Sequence, residues 1–286
     1  MSPGRKLRDA IAAGPVLIPG VFNALVGRLA EEAGFSAVYL SGAALSASMA
    51  LPDVGLVTLT EFVNAAKTIT DATKLPLICD ADTGFGEALN VERTVQQFER
   101  AGVAGIHLED QEMPKRCGHL SGKSIVDAQD MAAKIRAAAA ARRDPDFFLI
   151  ARTDARGVNG FADAVARAHK YREAGADAIF PEAMESPEEF ARFAKEVPGP
   201  LLANMTEFGK SPLLTAQQLA DLGYRLILFP VTTLRVALKA AEAVLAEIRK
   251  SGTQSAAIPN MLTRTRLYEL LNYSGYEARD REYFGG

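Results

Sequence analysis

At 286 residues the chain is long enough for one large domain, and 48% apolar against 23% charged residues excludes a disordered chain. Lys and Arg number 32 against 35 Asp and Glu, a net charge of −3 with no long run of either sign, which excludes a nucleic-acid groove and a polybasic membrane surface. Cys79 and Cys117 are too few for a disulfide framework, no apolar run approaches the ~20 residues that span a bilayer, and MSPGRKLRDAIAAG lacks the apolar core of a signal peptide, so a cytoplasmic location is expected.

In chain order, KLRDAIAAG predicts a short helix ahead of the first strand. Apolar runs then predict strands at 16–20, 37–41, 76–82 and 104–110, followed by 147–153, 178–183, 200–205 and 225–230. Between them lie amphipathic segments such as ALVGRLAEEAG, NVERTVQQFERAG, FADAVARAHKYREAG and TAQQLADLG, each ending at a glycine, the usual helix stop. Continuous apolar strands alternating with helices favour parallel pairing, and eight repeats predict an α/β fold closed as a (β/α)8 TIM-type barrel. A doubly wound open sheet is the other solution, but no GxGxxG follows the first strand. Beyond an eighth helix, a helical tail at about 252–286 carries the amphipathic stretch Met261 to Leu271, which has nothing obvious in its own barrel to cover. The expectation is a single barrel domain over 1–286 whose tail packs on a neighbouring subunit.

Catalytic groups of a parallel barrel come from the C-terminal ends of its strands. These strands end in charge: Asp80 and Asp82 on the third, Glu109 and Asp110 on the fourth, Arg152 and Asp154 on the fifth, Glu182 on the sixth, Asn204 and Thr206 on the seventh. Two acids two apart in extended chain project to one side and ask for a cation, and oxygen ligands with few histidines suit Mg²⁺ or Mn²⁺. The alternative is a turn begun by Asp82-Thr83-Gly84. In EDQEMPKRCGHLSGKSIV, Cys117 has Lys115, Arg116 and His119 as sequence neighbours, which are expected to lower its pKa and make the sulfur functional, whereas Cys79 among apolar residues reads as core. GHLSGKS has three residues between its glycines where a P-loop needs four, and His107, Cys117 and His119 lack the spacing of a structural zinc site. His107 reads as a core histidine and His169 as surface.

These residues resemble the isocitrate lyase and phosphoenolpyruvate mutase superfamily along essentially the whole chain. The likeness runs from YLSGA and LPDVG through DADTGFG, EDQ, KRCGH, ARTDA, FPEA and NMTEFG to TRTRLYELLNY, and KRCGH with DAD marks the lyase branch. The resemblance implies a barrel enzyme that breaks a carbon–carbon bond of a small hydroxy-tricarboxylate by Mg²⁺-assisted retro-aldol chemistry. It implies Asp80 and Asp82 at the metal, with Asp53 and Glu109 as outer or water-mediated partners, and Cys117 as the acid with His119 beside it. Ser41, Gly42, Ala43, Gly118, Arg152, Glu182, Asn204, Met205, Thr206, Arg235 and Arg264 would bind substrate, the arginines by gripping carboxylates two oxygens at a time. Phe180 and Leu228 would line the pocket for a methyl on the carbon that becomes the carbonyl. Tyr39 is the candidate base, plain packing being its alternative.

Two departures matter. The turn after strand two is Ser41-Gly42-Ala43 rather than SGG, and LSGK replaces the RPNK usual after KRCGH, which keeps alkylmalate- and oxaloacetate-cleaving relatives in view. A non-catalytic dicarboxylate-binding barrel is the reading outside catalysis. The resemblance also implies a homotetramer that exchanges the helices following the eighth strand.

Overall fold

The structure, a computed structural model, describes residues 1–285. Its contacts divide the chain into a unit from Met1 to Leu234 and a second from Arg235 onward. The first unit holds eight parallel strands: β1 (Val16–Pro19), β2 (Val38–Leu40), β3 (Leu77–Asp80), β4 (Gly105–Glu109), β5 (Phe148–Thr153), β6 (Ala178–Pro181), β7 (Leu202–Asn204) and β8 (Leu226–Phe229). Each lies inside its predicted run, shortened by a residue or two at the ends. Ladder bonding forms an arc of β2 to β6 and an arc of β7, β8 and β1. Single parallel bridges, Gly20 to Tyr39 and Ile179 to Leu201, join the two arcs into a closed ring. The chain therefore folds as a TIM-type α/β barrel.

Helices follow from local chemistry. Thr58 and Glu61 cap each other's backbone at the start of Leu59–Ala72, and that helix buries Phe62, Ala66 and Ile69 at helical spacing. Helix Ala88–Arg100 does the same with Val91, Thr94, Val95 and Phe98. The predicted stops at Gly34, Gly102, Gly175 and Gly223 all adopt positive φ, between 82° and 111° or lower, at 78°, for Gly102, which costs a residue without Cβ nothing. The sequence reading missed the seven-residue helix Gly42–Ser48, whose N-cap is Ser41.

Strand alternation places the site. Ile18, Tyr39, Ile78, Ile150, Phe180, Leu202, Leu226 and Leu228 form one buried cluster, joined by Leu7 and Ile11 of the N-terminal helix Pro3–Ala13. Two residues further along the same faces come Asp80, Arg152, Glu182 and Asn204. Each inward stripe thus changes from apolar to ionic as its strand runs toward its C-terminal end.

In the second unit, helix Thr232–Ser251 buries only Leu234, a residue that precedes the unit boundary, and leaves Val236, Leu238, Leu245 and Ile248 exposed. Beyond it come a short 3₁₀ turn and helices Arg264–Leu271 and Tyr273–Phe284, with Tyr268 stacked on Tyr273 at 4.6 Å. No helix among the described residues is long and apolar enough to cross a membrane.

Candidate active site

Asp80, the last residue of β3, accepts the Gly42 N–H at 3.0 Å through Oδ2 and the Asp82 N–H at 3.0 Å through Oδ1. Asp82 itself is not extended, as the sequence reading assumed: its φ is +44°, because the bond to Asp80 curls the chain out of the strand. The two carboxylates therefore come together through a turn, so the alternative raised from Asp82-Thr83-Gly84 and the acid pair are both present. Burial and the neighbouring Asp80 push Asp82 up to about 7. Burial also raises Glu109 well above the carboxylate range. Asp80 goes the other way, since His107, Lys115, Arg152 and the Asp82 amide outweigh its burial.

Lys115 answers part of this charge. Its buried ammonium pairs with Asp53 and lies 2.9 Å from Asp82 Oδ1, and the surrounding acids raise its pKa against the effect of burial. Lys115 is thus turned onto the acids and not onto the thiol. This overturns the expectation of a lowered Cys117 pKa: burial is the largest effect and raises it, Glu182 and Asp53 add to it, and the His119 amide and Arg152 only partly oppose. The half-buried thiol is thus shifted toward its protonated form.

His119 accepts the Lys210 N–H at 3.0 Å through Nδ1, which assigns the proton to Nε2, 2.7 Å from Glu182 Oε1 at an angle short of a proper hydrogen bond. Gly209 makes this approach possible, since a Cβ there would stand 2.7 Å from Nδ1. Glu182 is buried, yet Arg152, His119 and Lys123 outweigh that burial and hold it well below the usual range. Arg152 spends its side-on fork on Asp154, with Nε to Oδ2 at 3.0 Å and Nη2 to Oδ1 at 3.2 Å. Only Nη1 faces the acids, 3.4 Å from Glu109 and 3.5 Å from Glu182. The expected two-oxygen grip on a ligand carboxylate is therefore already occupied within the protein.

His107, read from the sequence as core, is buried but is also a site residue. Its Nε2 lies 2.7 Å from the Tyr39 hydroxyl and 3.4 Å from Asp80, and its ring meets Phe180 edge-on. Burial lowers its pKa to about 4, so the imidazole is neutral. Burial and Asp80 hold the Tyr39 phenol protonated. Phe180 also lies under the Arg152 guanidinium at 5.1 Å, and Leu228 is in the interior cluster. Asn204 approaches Glu182 at 3.4 Å, and Thr206 is half-buried on the same loop. Met205 is not brought to the site: alternation turns it to the outer core, where its sulfur accepts the Leu214 N–H at 3.4 Å. Arg235 and Arg264 lie exposed in the second unit. Cys79 is buried in the outer core and His169 is exposed, as expected.

Both Glu109 oxygens and Asp82 Oδ1 are buried without a hydrogen-bond partner. Such atoms suit a hard cation. Among the described residues no three His, Cys, Asp or Glu side chains form a group that could hold a metal ion.

Buried carboxylates with unpartnered oxygens at the C-terminal ends of the strands, with a thiol on the adjoining loop, define a barrel enzyme acting on a small molecule. The chain belongs to the phosphoenolpyruvate phosphomutase family, which it matches over residues 7–249. It is 55% identical to a 2-methylisocitrate lyase of Aeropyrum pernix over 98% of this chain and 91% of that one. Oxaloacetate acetylhydrolase with 3,3-difluorooxalacetate superposes with a TM-score of 0.93 at 37% identity, covering 100% and 98% of the two chains. Phosphonopyruvate hydrolase complexed with oxalate and Mg²⁺ does so at 0.90 and 34%, covering 99% and 100%.

Proposed function

We propose that this chain cleaves 2-methylisocitrate to pyruvate and succinate with Mg²⁺ or Mn²⁺ bound. The observation that carries the reading is the seating of the Cys117 loop on Arg152 and Glu182 beside the acid cluster, where burial favours the protonated thiol that a general acid requires. Similarity to the Aeropyrum pernix enzyme along nearly the whole chain supports it. Asp80 and Asp82, with Asp53 and Glu109 behind water, would hold the metal, which supplies Lewis-acid stabilisation of the substrate oxygen.

The protein's own groups do the rest. Arg152 Nη1, Asn204, Thr206 and the backbone at Ser41 to Ala43 orient the carboxylates, with Gly118 letting the loop close on them. Tyr39 receives the substrate hydroxyl proton while passing its own to neutral His107, 2.7 Å away. The carbon–carbon bond then breaks, its electron pair going to the succinate half as the former hydroxyl oxygen becomes the pyruvate carbonyl. Cys117 gives its proton to that carbanion, and exchange with solvent restores the thiol and clears His107. Glu182 keeps His119 oriented beside Cys117. Phe180 and Leu228 form the apolar wall for the methyl, a discrimination worth about 10- to 200-fold over isocitrate.

Product formation from 2-methylisocitrate, isocitrate, 2,3-dimethylmalate and oxaloacetate tests this. Pyruvate and succinate from the first, at the highest kcat/KM, is the expected result. Superior turnover of 2,3-dimethylmalate or oxaloacetate refutes the substrate assignment, and no turnover of any returns the chain to a binding role.

The reading extends to assembly. Leu17 on β1 is 39% exposed, unusual for a barrel strand, and the apolar face of Thr232–Ser251 is exposed as well. A homotetramer that exchanges these helices would bury such surfaces, and would let Arg235 and Arg264 serve a site. A fully active monomer in sedimentation at micromolar concentration argues against exchange.

A further inference from the structure

Asp154, fully buried just past the end of β5, joins the side-on fork of Arg152 to Lys123 of the loop bearing Cys117. Arg152 binds it through Nε and Nη2, and Lys123 of the loop reaches Oδ1 at 2.7 Å. Lys123 also donates to the Gly118 carbonyl, immediately after Cys117, so one ammonium ties the middle of the loop to β5. The hub is fixed from behind. Asp110 Oδ1 accepts the Asp154 N–H at 2.8 Å, and its Oδ2 accepts from Thr153 and Tyr171, each at 2.8 Å. Arg167 reaches the same oxygen at 3.3 Å and the Val126 carbonyl at 2.8 Å, while the Val126 N–H donates to the Asp110 carbonyl at 2.9 Å. The last residues of the loop and the backbone under Asp154 therefore share one buried support.

We infer that Asp154 is a positioning residue that couples closure of loop 111–125, through Lys123, to the setting of the Arg152 guanidinium. When Lys123 is on Oδ1, the carboxylate has a fixed place and a second cation, and Arg152 is held with Nη1 alone turned toward Glu109 and Glu182. When the loop lifts, the buried charge keeps only Arg152, and nothing on the loop side fixes its plane. Loop closure and carboxylate binding at Arg152 thus strengthen each other, as linkage between two sites through one bistable element requires. Lys123 bonds to Asp154 and the Gly118 carbonyl, so a change at Lys123 reaches the Arg152 guanidinium through Asp154.

The inference rests on the proposed lyase reading only where turnover is measured. The test uses Asp154→Asn, Lys123→Met and the double variant, with trypsin cleavage after Lys115 and Arg116, sites that every variant keeps, followed by mass spectrometry, without ligand and with succinate plus Mg²⁺. Succinate affinity is measured by calorimetry. Cleavage in the loop should rise at least about tenfold in both single variants and no further in the double, since each breaks the same link. Succinate binding should weaken about tenfold in Lys123→Met and more in Asp154→Asn, with KM affected more than kcat in Lys123→Met. Native loop protection in Lys123→Met, or single effects that multiply in the double variant, overturns the inference. If Asp154→Asn fails to fold, Lys123→Met decides alone, because it leaves the buried pair of Asp154 and Arg152 intact. A native protein that closes its loop on succinate yet turns over none of the four substrates would sink the lyase reading and leave the coupling standing.

Discussion

Gly118→Ala tests how tightly the loop seats on the site. A Cβ at this residue would stand 2.6 Å from Glu182 Cδ, and closer still to its Cγ and to Arg152 Nη2. Ordinary contact begins at 3.4 Å, so something must move by about 0.8 Å or more. Two relaxations are open. Arg152 and Glu182 can yield, but the first is pinned by Asp154 and the second is buried against it. Otherwise the loop lifts and carries the neighbouring Cys117 away. Either displaces a reacting group by about 1 Å, and a misplacement of that size costs on the order of 10²-fold in rate, or ~2.7 kcal/mol. Steady-state assay with 2-methylisocitrate should therefore give kcat/KM about a hundredfold below native, while thermal unfolding shifts by no more than about 2 °C because no core contact is lost. Native kcat/KM in a folded Gly118→Ala protein would show that the loop does not close as drawn.

The two cysteines should behave oppositely. Cys117→Ser should fold normally and lose most turnover, a serine hydroxyl being a far weaker acid, while Cys79→Ser should keep its chemistry and lose about 1–3 kcal/mol in denaturant titration by burying an unpaired hydroxyl; the reverse pattern refutes both roles. Because burial raises the Cys117 pKa, its thiolate fraction at neutral pH should lie below that of a free cysteine and climb tenfold per pH unit, so iodoacetamide labelling that plateaus below pH 8 would contradict the protonated thiol. Chelation should abolish activity and Mg²⁺ restore it, with Asp82→Asn still folded but binding Mg²⁺ more weakly by calorimetry; full activity in a verified metal-free sample would remove the metal from the reaction.

The strands were legible because a strand covered on both faces must be apolar throughout, and its polar end then stands out, as in PLICDAD and FFLIART. What stayed hidden depends on direction in space. Lys115 stands two residues before Cys117 in sequence yet points to Asp53 and Asp82, so adjacency in the chain misjudged the charge around the thiol. His107 looks like any apolar-strand residue until Asp80 and Tyr39 are placed on neighbouring inward stripes. The outward turn of Met205 could have been found, since an inward Asn204 fixes its successor by the period of two. Lys123 and Asp154 carried no such signal, because 30 positions of chain separate partners that only the closed loop brings together.

The helix Pro3–Ala13 gives the barrel a floor. Leu7 and Ile11 join the interior cluster that continues past Ile18 to Tyr39, so the column beneath the site is filled. The N-terminal end of the barrel is thereby closed to passage, so whatever reaches Tyr39 and Asp80 enters and leaves from the side of the strands' C-terminal ends. If Lys123 holds the loop there as inferred, two fragments in line on that path would leave in the reverse of the order in which they lie. The segment farthest from the chemistry would then make the path one-ended.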